Sequence, residues 1–278
     1  MVIHSDWGSW LPRAIESADP VGVAVWYLGC NGFALKGSGG TTIFIDPYLG
    51  NGDPPRTIRM LPVPFEPSAI RGAHAILATH EHVDHVHGPS QAPILANTGA
   101  SFYGPDDAVA VAREDETWPA AYDISDEQLT EVAEGMSFDV GEFRIHVEPA
   151  HDPDASHPVT YVVEHEAGTF FHGGDSKPAD AFAEIGSRYD LDLGVLAFGT
   201  VGMMPDRETG VPTVTKWYND GNQCIEAAQD LRLDRLLPSH WDMWKRLTAN
   251  PTALRDHARS FEHPRRLEIA EIGDHIEL

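Results

Sequence analysis

The sequence predicts an α/β or α+β domain, and three observations support this class. Hydrophobic residues make up 42% of the 278 residues, which is enough for a sizeable core. Short strand-like apolar runs are interleaved with helical patterns along the chain. No Gly/Ser/Pro-rich linker, internal repeat or low-complexity tract interrupts them. We therefore predict that residues 1–278 form a single domain.

The N-terminal half is predicted to contain strands separated by glycine turns, together with two helices. The predicted strands are Val23–Tyr27, Phe33–Leu35, Thr41–Ile45 and Ala75–Ala78. Helices are predicted over Asp106–Arg113 and Asp126–Gly135 because each has acidic residues in its first turn, where the helix dipole favours them. The proline-rich segment Pro54–Pro67 is expected to be an ordered loop beside the functional site.

The C-terminal half is predicted to alternate between strands and helices. The predicted strands are Phe138–Val140, Phe143–Val147, Thr160–Glu164, Thr169–His172, Asp192–Phe198, Arg235–Leu237 and Leu267–Ile272. The predicted helices run from near Pro178 to about Ser187, over most of Thr213–Leu231, and onward from Asn250-Pro251. Proline suits the first position of the last helix, because that position needs no backbone N–H donor.

A histidine-rich loop follows the fourth predicted strand and carries the clearest chemical signal in the chain. Its sequence is His80-Glu81-His82-Val83-Asp84-His85-Val86-His87. Imidazole nitrogens and carboxylate oxygens are the ligands that hold zinc, manganese or iron. The period of a strand points His80 and His82 to the same side, and the turn then supplies the aspartate and the third histidine. A solvated cluster is the alternative, and we prefer it only for His74 and His87, which lie outside the ordered pattern H-x-H-x-D-H.

Three later residues each end a strand-like segment and extend the set of candidate metal ligands. They are His151, Asp175 and His240. Strands that end at one rim of a sheet bring their last side chains together, so the combined set predicts a metal site. Each residue also has an ordinary alternative. His151 lies in a polar loop, Asp175 fits a helix cap or turn, and His240 fits a packed histidine beside tryptophans.

The order of these residues resembles the metallo-β-lactamase superfamily. Motifs near the start of the chain narrow the resemblance to its L-ascorbate-6-phosphate lactonase branch. They are Asp6-Trp7-Gly8-Ser9-Trp10-Leu11, Val25-Trp26-Tyr27-Leu28-Gly29-Cys30-Asn31-Gly32-Phe33, Leu35-Lys36, Gly39-Gly40-Thr41 and Ile45-Asp46. The resemblance implies a four-layer αββα sandwich of two mixed sheets.

The resemblance also implies a centre of two divalent metal ions, zinc or manganese, with iron as an alternative. One metal is expected on His80, His82 and His151, the other on Asp84, His85 and His240, with Asp175 as the bridging carboxylate. Asp84 and Asp175 are the expected catalytic carboxylates. Two cations that share a water lower its pKa, so that a metal-bound hydroxide attacks a carbonyl or phosphoryl centre.

The predicted function is a metal-dependent hydrolase of the lactonase type, acting on a small anionic lactone such as a sugar-phosphate lactone. A phosphodiesterase or nuclease with the same two-metal centre is the alternative. Flavin-linked di-iron redox members of the superfamily typically carry Glu where His82 stands, which disfavours that class. A substrate phosphate needs cationic groups, and the candidates are Arg207, Lys216 and Lys177, with surface ion pairs as their alternative role.

The net charge of the chain limits the classes of partner that it can bind. The formal net charge is −24, and lysine occurs only at positions 36, 177, 216 and 245. This acidic surplus predicts a surface adapted to high salt, where ions screen the self-repulsion. It disfavours nucleic acid as a partner, because binding nucleic-acid phosphates requires Lys and Arg.

Cysteine usage and the absence of targeting signals predict a cytoplasmic protein. The partner expected from the hydrolase prediction is a small-molecule substrate. Cys30 and Cys224 make neither a disulfide framework nor a Cys-type zinc site, and Cys30 is predicted to be a small packed residue. No apolar run approaches the length of about 18 residues that predicts a membrane span. The first residues also lack a basic region followed by an apolar stretch. The oligomeric state stays open, with a homo-oligomer among the alternatives.

Overall fold

The computed structural model describes residues 3–278, which form two seven-stranded sheets, a separate hairpin and six α-helices within that range. In chain order the strands are β1 (Val23–Gly29), β2 (Gly32–Gly37), β3 (Thr42–Ile45), β4 (Ala75–Leu77), β5 (Ser101–Gly104), β6 (Leu129–Glu131), β7 (Ser137–Val140), β8 (Phe143–Pro149), β9 (Val159–His165), β10 (Gly168–His172), β11 (Leu193–Ala197), β12 (Gly202–Pro205), β13 (Pro212–Thr215), β14 (Arg235–Ser239), β15 (Arg266–Leu267) and β16 (His275–Glu277). The helices are α1 (Trp10–Ser17), α2 (Gly88–Thr98), α3 (Asp106–Glu114), α4 (Asp180–Arg188), α5 (Gly221–Asp230) and α6 (Leu254–Ala258).

The two large sheets are mixed, and each is built largely from one half of the chain. The first has the order β16-β1-β2-β3-β4-β5-β6, and the second has the order β15-β14-β11-β10-β9-β8-β7. In the first sheet β1, β3 and β4 run in the same direction, and in the second β8, β10, β11 and β14 share a direction. Strands that share a direction end on the same side, which is where the candidate site lies.

Alternate side chains of β1 pack into two different cores, one on each face of the first sheet. Val23, Val25 and Tyr27 pack into the core between the sheets, whereas Ala24 and Trp26 face the core under α1, α2 and α3. A third core packs the outer face of the second sheet against α4 and α5. Both faces of the central strands are therefore buried, which accounts for their continuous apolar runs. The predicted four-layer αββα sandwich is confirmed.

Three predicted elements differ from the structure. The helix predicted over Asp126–Gly135 is a short 3₁₀ turn followed by β6, because Leu129 pairs with Phe102 at the end of the first sheet and is only 8% exposed. The segment predicted as mostly helix from Thr213 to Leu231 begins as strand β13, and α5 starts only where Asp220 accepts a hydrogen bond from the backbone N–H of Gln223.

The third difference lies at the end of the chain. Instead of one strand over Leu267–Ile272, the chain leaves the second sheet after β15 and joins the first sheet as β16. The segment between them is a crossover with a turn at Gly273, whose φ is 89°. Its apolar residues Ala270 and Ile272 pack on the core between the two sheets without forming a ladder of their own. Within residues 3–278 we find no helix that is long and apolar enough to cross a membrane.

The net charge of −24 leads to a prediction about stability. We expect the melting temperature to rise steadily from dilute buffer to molar KCl, because the Debye length falls to roughly 3 Å at 1 M and the repulsion between carboxylates is screened. The measurement is thermal melting followed by circular dichroism over that range of KCl. A flat or falling melting temperature would show that the acidic surface is not an adaptation to salt.

Candidate metal centre

The candidate site forms where strands of both sheets end. The loop after β4 carries His80 to His85, and its partners follow β3, β8, β10 and β14. Asp46 and His240, directly after β3 and β14, have φ values of 47° and 64°. Left-handed backbone costs a non-glycine residue roughly 1–2 kcal/mol, so the surrounding fold must offset this strain to keep the two turns in place. The turns aim both side chains into the same space between the sheets.

The first group of donor atoms consists of His80, His82 and Asp152. His80 Nε2 lies 2.9 Å from His82 Nδ1, and the Asp152 Oδ2 atom lies 3.7 Å and 3.9 Å from these two nitrogens. His82 is oriented by its other nitrogen, which lies 3.0 Å from the backbone oxygen of Asp154. Glu81 holds the same loop in place by accepting hydrogen bonds from the backbone and hydroxyl of Ser156.

Asp175 lies between the first group and a second one. Its Oδ2 atom is 3.5 Å from His85 Nε2, and its Oδ1 atom is 3.4 Å from His240 Nε2. Asn31 donates a hydrogen bond of 3.2 Å to Oδ1 and fixes the carboxylate. Asp84 completes the second group, with Oδ2 3.5 Å from His240 Nε2 and 4.0 Å from His85 Nε2. Asp175 also clusters with His80 and His85, whose donor atoms lie within 4.8 Å of one another, so its carboxylate reaches one member of each group. This position between the two groups is the one that a bridging carboxylate requires.

Cys30 also lies in this region, but its geometry is that of a packing residue. Its sulfur is 3.6 Å from Asp84 Oδ2, and it lies 3.5 Å from Nε2 and 3.7 Å from Nδ1 of His240. A sulfur that shared a cation with Nε2 would lie near the lone-pair direction and much farther from Nδ1. Although the three residues cluster, we interpret Cys30 as a fully buried thiol packed beside the imidazole.

The electrostatics of the site favour neutral imidazoles at His80 and His240 and an ionised carboxylate at Asp175. Burial, and secondarily the neighbouring His85, lowers the pKa of His80 well below its ordinary value, and burial also lowers the pKa of His240. Burial alone would raise the pKa of Asp175, but His240 and His85 outweigh it and hold that pKa well below its usual range. Burial and the charge of Asp175 raise the pKa of Asp152. Neutral nitrogens keep their lone pairs free, and the two carboxylates repel each other in the absence of a cation.

These residues fit a metal ion by a structural criterion as well as by chemistry. His85 Nε2 has no hydrogen-bond partner among residues 3–278, and the side chain is 0% exposed, so bulk water does not reach the atom either. A buried nitrogen without a partner is destabilising unless something satisfies it. The atom faces Asp175 Oδ2, so a cation between them would satisfy the nitrogen and relieve the carboxylate repulsion. The donor set of imidazoles and carboxylates suits zinc, manganese or iron.

Comparison of the sequence with known families identifies the fold. The profile of the Beta-lactamase superfamily domain matches residues 41–241, which is more than two thirds of the chain and includes every histidine and aspartate of the two candidate donor groups, together with Asp175. The chain belongs to the metallo-β-lactamase superfamily. This confirms the superfamily that the histidine pattern predicted.

Individual relatives agree with that assignment. The chain is 27% identical over 295 aligned residues to proteins named probable L-ascorbate-6-phosphate lactonase UlaG from Salmonella gallinarum and Escherichia fergusonii, covering 90% of this chain and 78% of each relative. Among solved structures, the metallo hydrolase Igni18 from Ignicoccus hospitalis aligns with a TM-score of 0.67 at 19% identity, covering 92% of this chain and 98% of that chain. The metallo-β-lactamase fold protein YhfI from Bacillus subtilis aligns with a TM-score of 0.64 at 16% identity, covering 94% and 100%. These structures support the fold of this superfamily member.

Six of the seven predicted ligands come together, and His151 does not join them. The six are His80, His82, Asp84, His85, Asp175 and His240. The His151 side chain is exposed, and its Nδ1 lies 3.2 Å from the backbone oxygen of Pro178. The next residue, Asp152, is buried and takes the place beside His80. The solvated loop that the sequence offered as an alternative for His151 matches this placement.

The three predicted cationic residues have different surroundings. Arg207 lies in the turn between β12 and β13 and lines a cavity of about 630 Å³ next to Asp84 and Asp175. Lys216 forms an ion pair of 2.5 Å with Asp220. Lys177 donates to the backbone oxygen of Trp217, and burial lowers its pKa.

Asp46 is a site residue that the sequence analysis did not assign. Its carboxylate is 0% exposed and accepts hydrogen bonds from the backbone and hydroxyl of Thr79, while its Oδ2 lies 2.7 Å from His85 Nδ1. Burial alone would lower the pKa of His85, but the charges of Asp46 and Asp175 raise it well above its ordinary value. Asp46 thus fixes the ring of His85 so that Nε2 points to the centre, as carboxylates commonly do for metal-binding histidines.

We expect Asp46→Asn to weaken zinc binding by roughly 10- to 100-fold, because the amide removes the charge that orients His85. The measurement is competition for zinc against a chelator of known affinity. Asp139→Asn, an exposed position on β7, is the matched control and should keep wild-type affinity. Wild-type zinc affinity in both variants would contradict the orienting role of Asp46.

Proposed function

We propose that this chain, a metal-dependent hydrolase, opens the lactone ring of a small anionic carbohydrate. The observation that carries the proposal is the placement of Asp175, whose two oxygens face His85 and His240 in the wall of an open cavity. The relatives named as probable lactonases align over 90% of the chain and support this reaction class.

The proposed ligand set follows from the two donor groups. His80, His82 and Asp152 would hold one cation, and Asp84, His85 and His240 would hold the other, with Asp175 shared between them. Nitrogen and oxygen donors of this kind suit zinc or manganese. Asp152 replaces His151 in this set because its carboxylate, unlike the imidazole, lies beside His80 and His82.

The residues of the chain hold and orient the reacting groups. Divalent cations bound here would lower the pKa of a water and polarise a carbonyl oxygen. Trp244 donates a hydrogen bond of 3.4 Å from Nε1 to Asp84 Oδ2, which restricts that carboxylate. Tyr218 stacks on His240 with ring centroids 4.1 Å apart, which restricts rotation of the imidazole. Hydrolysis arranged in this way requires no serine or cysteine nucleophile.

The cavity favours a small substrate over a polymer. Its volume of about 630 Å³ lies in the range typical of small-molecule sites. Six acidic residues line it, namely Asp53, Glu81, Asp84, Asp152, Asp154 and Asp175. This acidic lining disfavours an extended nucleic acid, which requires many cationic contacts. A small phosphodiester is the alternative substrate, because the same donor set would serve its hydrolysis.

A paired hydrolysis assay tests the function. The zinc- or manganese-loaded protein is assayed at low and high KCl with a sugar lactone, with the same lactone carrying a phosphate, and with bis(4-nitrophenyl) phosphate. We expect metal-dependent ring opening of the lactones, measured by proton release, and loss of that activity after chelation. If the phosphodiester is cleaved and neither lactone is opened, the phosphodiesterase alternative replaces the lactonase proposal.

A further inference from the structure

We propose that Arg56 forms the anion-binding part of the cavity and recognises the phosphate of a small sugar phosphate, with Arg207 as a weaker second contact. This inference rests on the proposed function for the identity of the substrate, but its binding test does not depend on turnover. Arg56 and Arg207 are the only cationic lysine or arginine side chains that line the cavity within the described part of the chain.

The contrast between Arg56 and Arg59 shows that the Arg56 guanidinium is available. Arg59 stabilises its own loop by donating hydrogen bonds to the backbone oxygens of four residues. These are Tyr48, Gly50, Leu61 and Pro62. Three residues earlier, the Arg56 side chain has neither a hydrogen bond nor an ion pair among residues 3–278, and its Nε atom is buried without a partner. Burying an N–H donor without an acceptor is unfavourable, so a ligand oxygen at this position would be stabilised.

The surroundings hold Arg56 in place while leaving its donors free. Its guanidinium carbon lies 5.4 Å from the centre of the Trp217 ring, which is a cation–π contact. The loop is ordered by backbone hydrogen bonds from Arg56 and Thr57 to the oxygen of Asp53, each 3.0 Å long. This contact takes up none of the N–H donors as a hydrogen bond, so they would remain for a pair of ligand oxygens.

The unpaired positive charge of Arg56 explains why the cavity would prefer a phosphorylated sugar to a neutral one. The cavity is lined by acidic residues, yet neither Arg56 nor Arg207 pairs with any of them in the described structure. An anion attracted only by metal ions would bind at the donor groups. A phosphate that reaches Arg56 would instead be held at the cavity wall formed by the Pro54–Pro67 segment, which leaves the lactone ring to face Asp84 and Asp175. Arg207 is exposed on the turn between β12 and β13, so its contribution is reduced by solvent.

Binding of a matched pair of sugars tests the inference. Isothermal titration of the zinc-loaded protein with glucose and with glucose 6-phosphate gives the preference for the phosphate. We expect Arg56→Ala to reduce that preference by roughly 10- to 100-fold, the range for hydrogen bonds to charged groups. Arg56→Lys should recover only part of it, because lysine lacks the fork of donors. Arg207→Ala should cause a smaller loss.

Arg144→Ala is the control, since Arg144 is a surface residue paired with Asp139 at 3.0 Å. A phosphate preference that survives Arg56→Ala would place the phosphate on the metals and overturn the inference. Equal binding of both sugars by the wild-type protein would overturn it too. If Arg56→Ala abolishes the preference while no lactone is opened, the anion site stands and the proposed function fails. If lactones are opened and the preference survives, the function stands and the anion site fails.

Discussion

Asp175→Asn is expected to lower kcat for the lactone by at least roughly 100-fold. This loss is larger than the one expected for replacing a residue that only orients a metal ligand. The amide has nearly the size of the carboxylate, but it carries no charge and one of its two ends is a donor. The carboxylate holds His85 at 3.5 Å and His240 at 3.4 Å through separate oxygens, so the amide cannot serve both positions. Steady-state kinetics and metal content are measured on the same preparation.

Asp180→Asn is the matched control for that variant, because it changes an exposed aspartate at the start of α4. It should retain wild-type kcat and metal content. Asp175→Asn should fold normally by circular dichroism, since its hydrogen bond from Asn31 can still be accepted by the amide oxygen. Wild-type turnover in Asp175→Asn would remove the bridging carboxylate from the mechanism.

Two adjacent substitutions are expected to have opposite results. Asp152→Ala should weaken binding of one of the two metals by more than roughly 10- to 100-fold, because it removes a direct donor to the position shared with His80 and His82. His151→Ala should leave both metals bound, because the exposed His151 ring faces the backbone of Pro178. Titration with zinc, followed by calorimetry, counts the sites and measures each affinity.

The pair of variants controls for itself, since both residues lie in the same loop after β8. Loss of a metal from His151→Ala with retention in Asp152→Ala would show that His151 turns inward when metal binds. That result would restore the ligand set implied by the resemblance. Loss from Asp152→Ala alone would establish the donor set that the geometry supports.

The sequence predicted the site residues that are concentrated in one loop, and also Asp175 and His240, which each end an apolar run. It missed the single aspartates Asp46 and Asp152. The H-x-H-x-D-H loop was recognisable because four donors occur within six positions, at the end of an apolar run. Asp152 carried no such signal, because it is one aspartate among many in an acidic chain. Asp46 belongs to the Ile45-Asp46 motif, but no other histidine or carboxylate lies beside it in the sequence to indicate a site. Asp152 had one available clue, its position directly after His151. Only the packing of the loop decides which of the two side chains points inward.

The same distinction applies to the fold. Continuous apolar runs predicted the central strands, because both of their faces are buried. The helix α2 was not predicted, since Pro89 and Pro93 lie within it and proline normally argues against a helix interior. The Asp126–Gly135 segment was assigned from local charge, but pairing between Phe102 and Leu129 determines its structure. Such contacts between distant parts of the chain cannot be derived from local pattern.

Metal content is the most direct test of the two-cation centre on which this account depends. The purified chain is stripped with a chelator, reconstituted separately with zinc, manganese and iron, and freed of loosely bound metal, and elemental analysis then gives the metal per chain. The complete donor set around Asp175 predicts a value near two for at least one of these metals, with lactone opening regained in parallel. Absence of bound metal after all three reconstitutions would contradict the account.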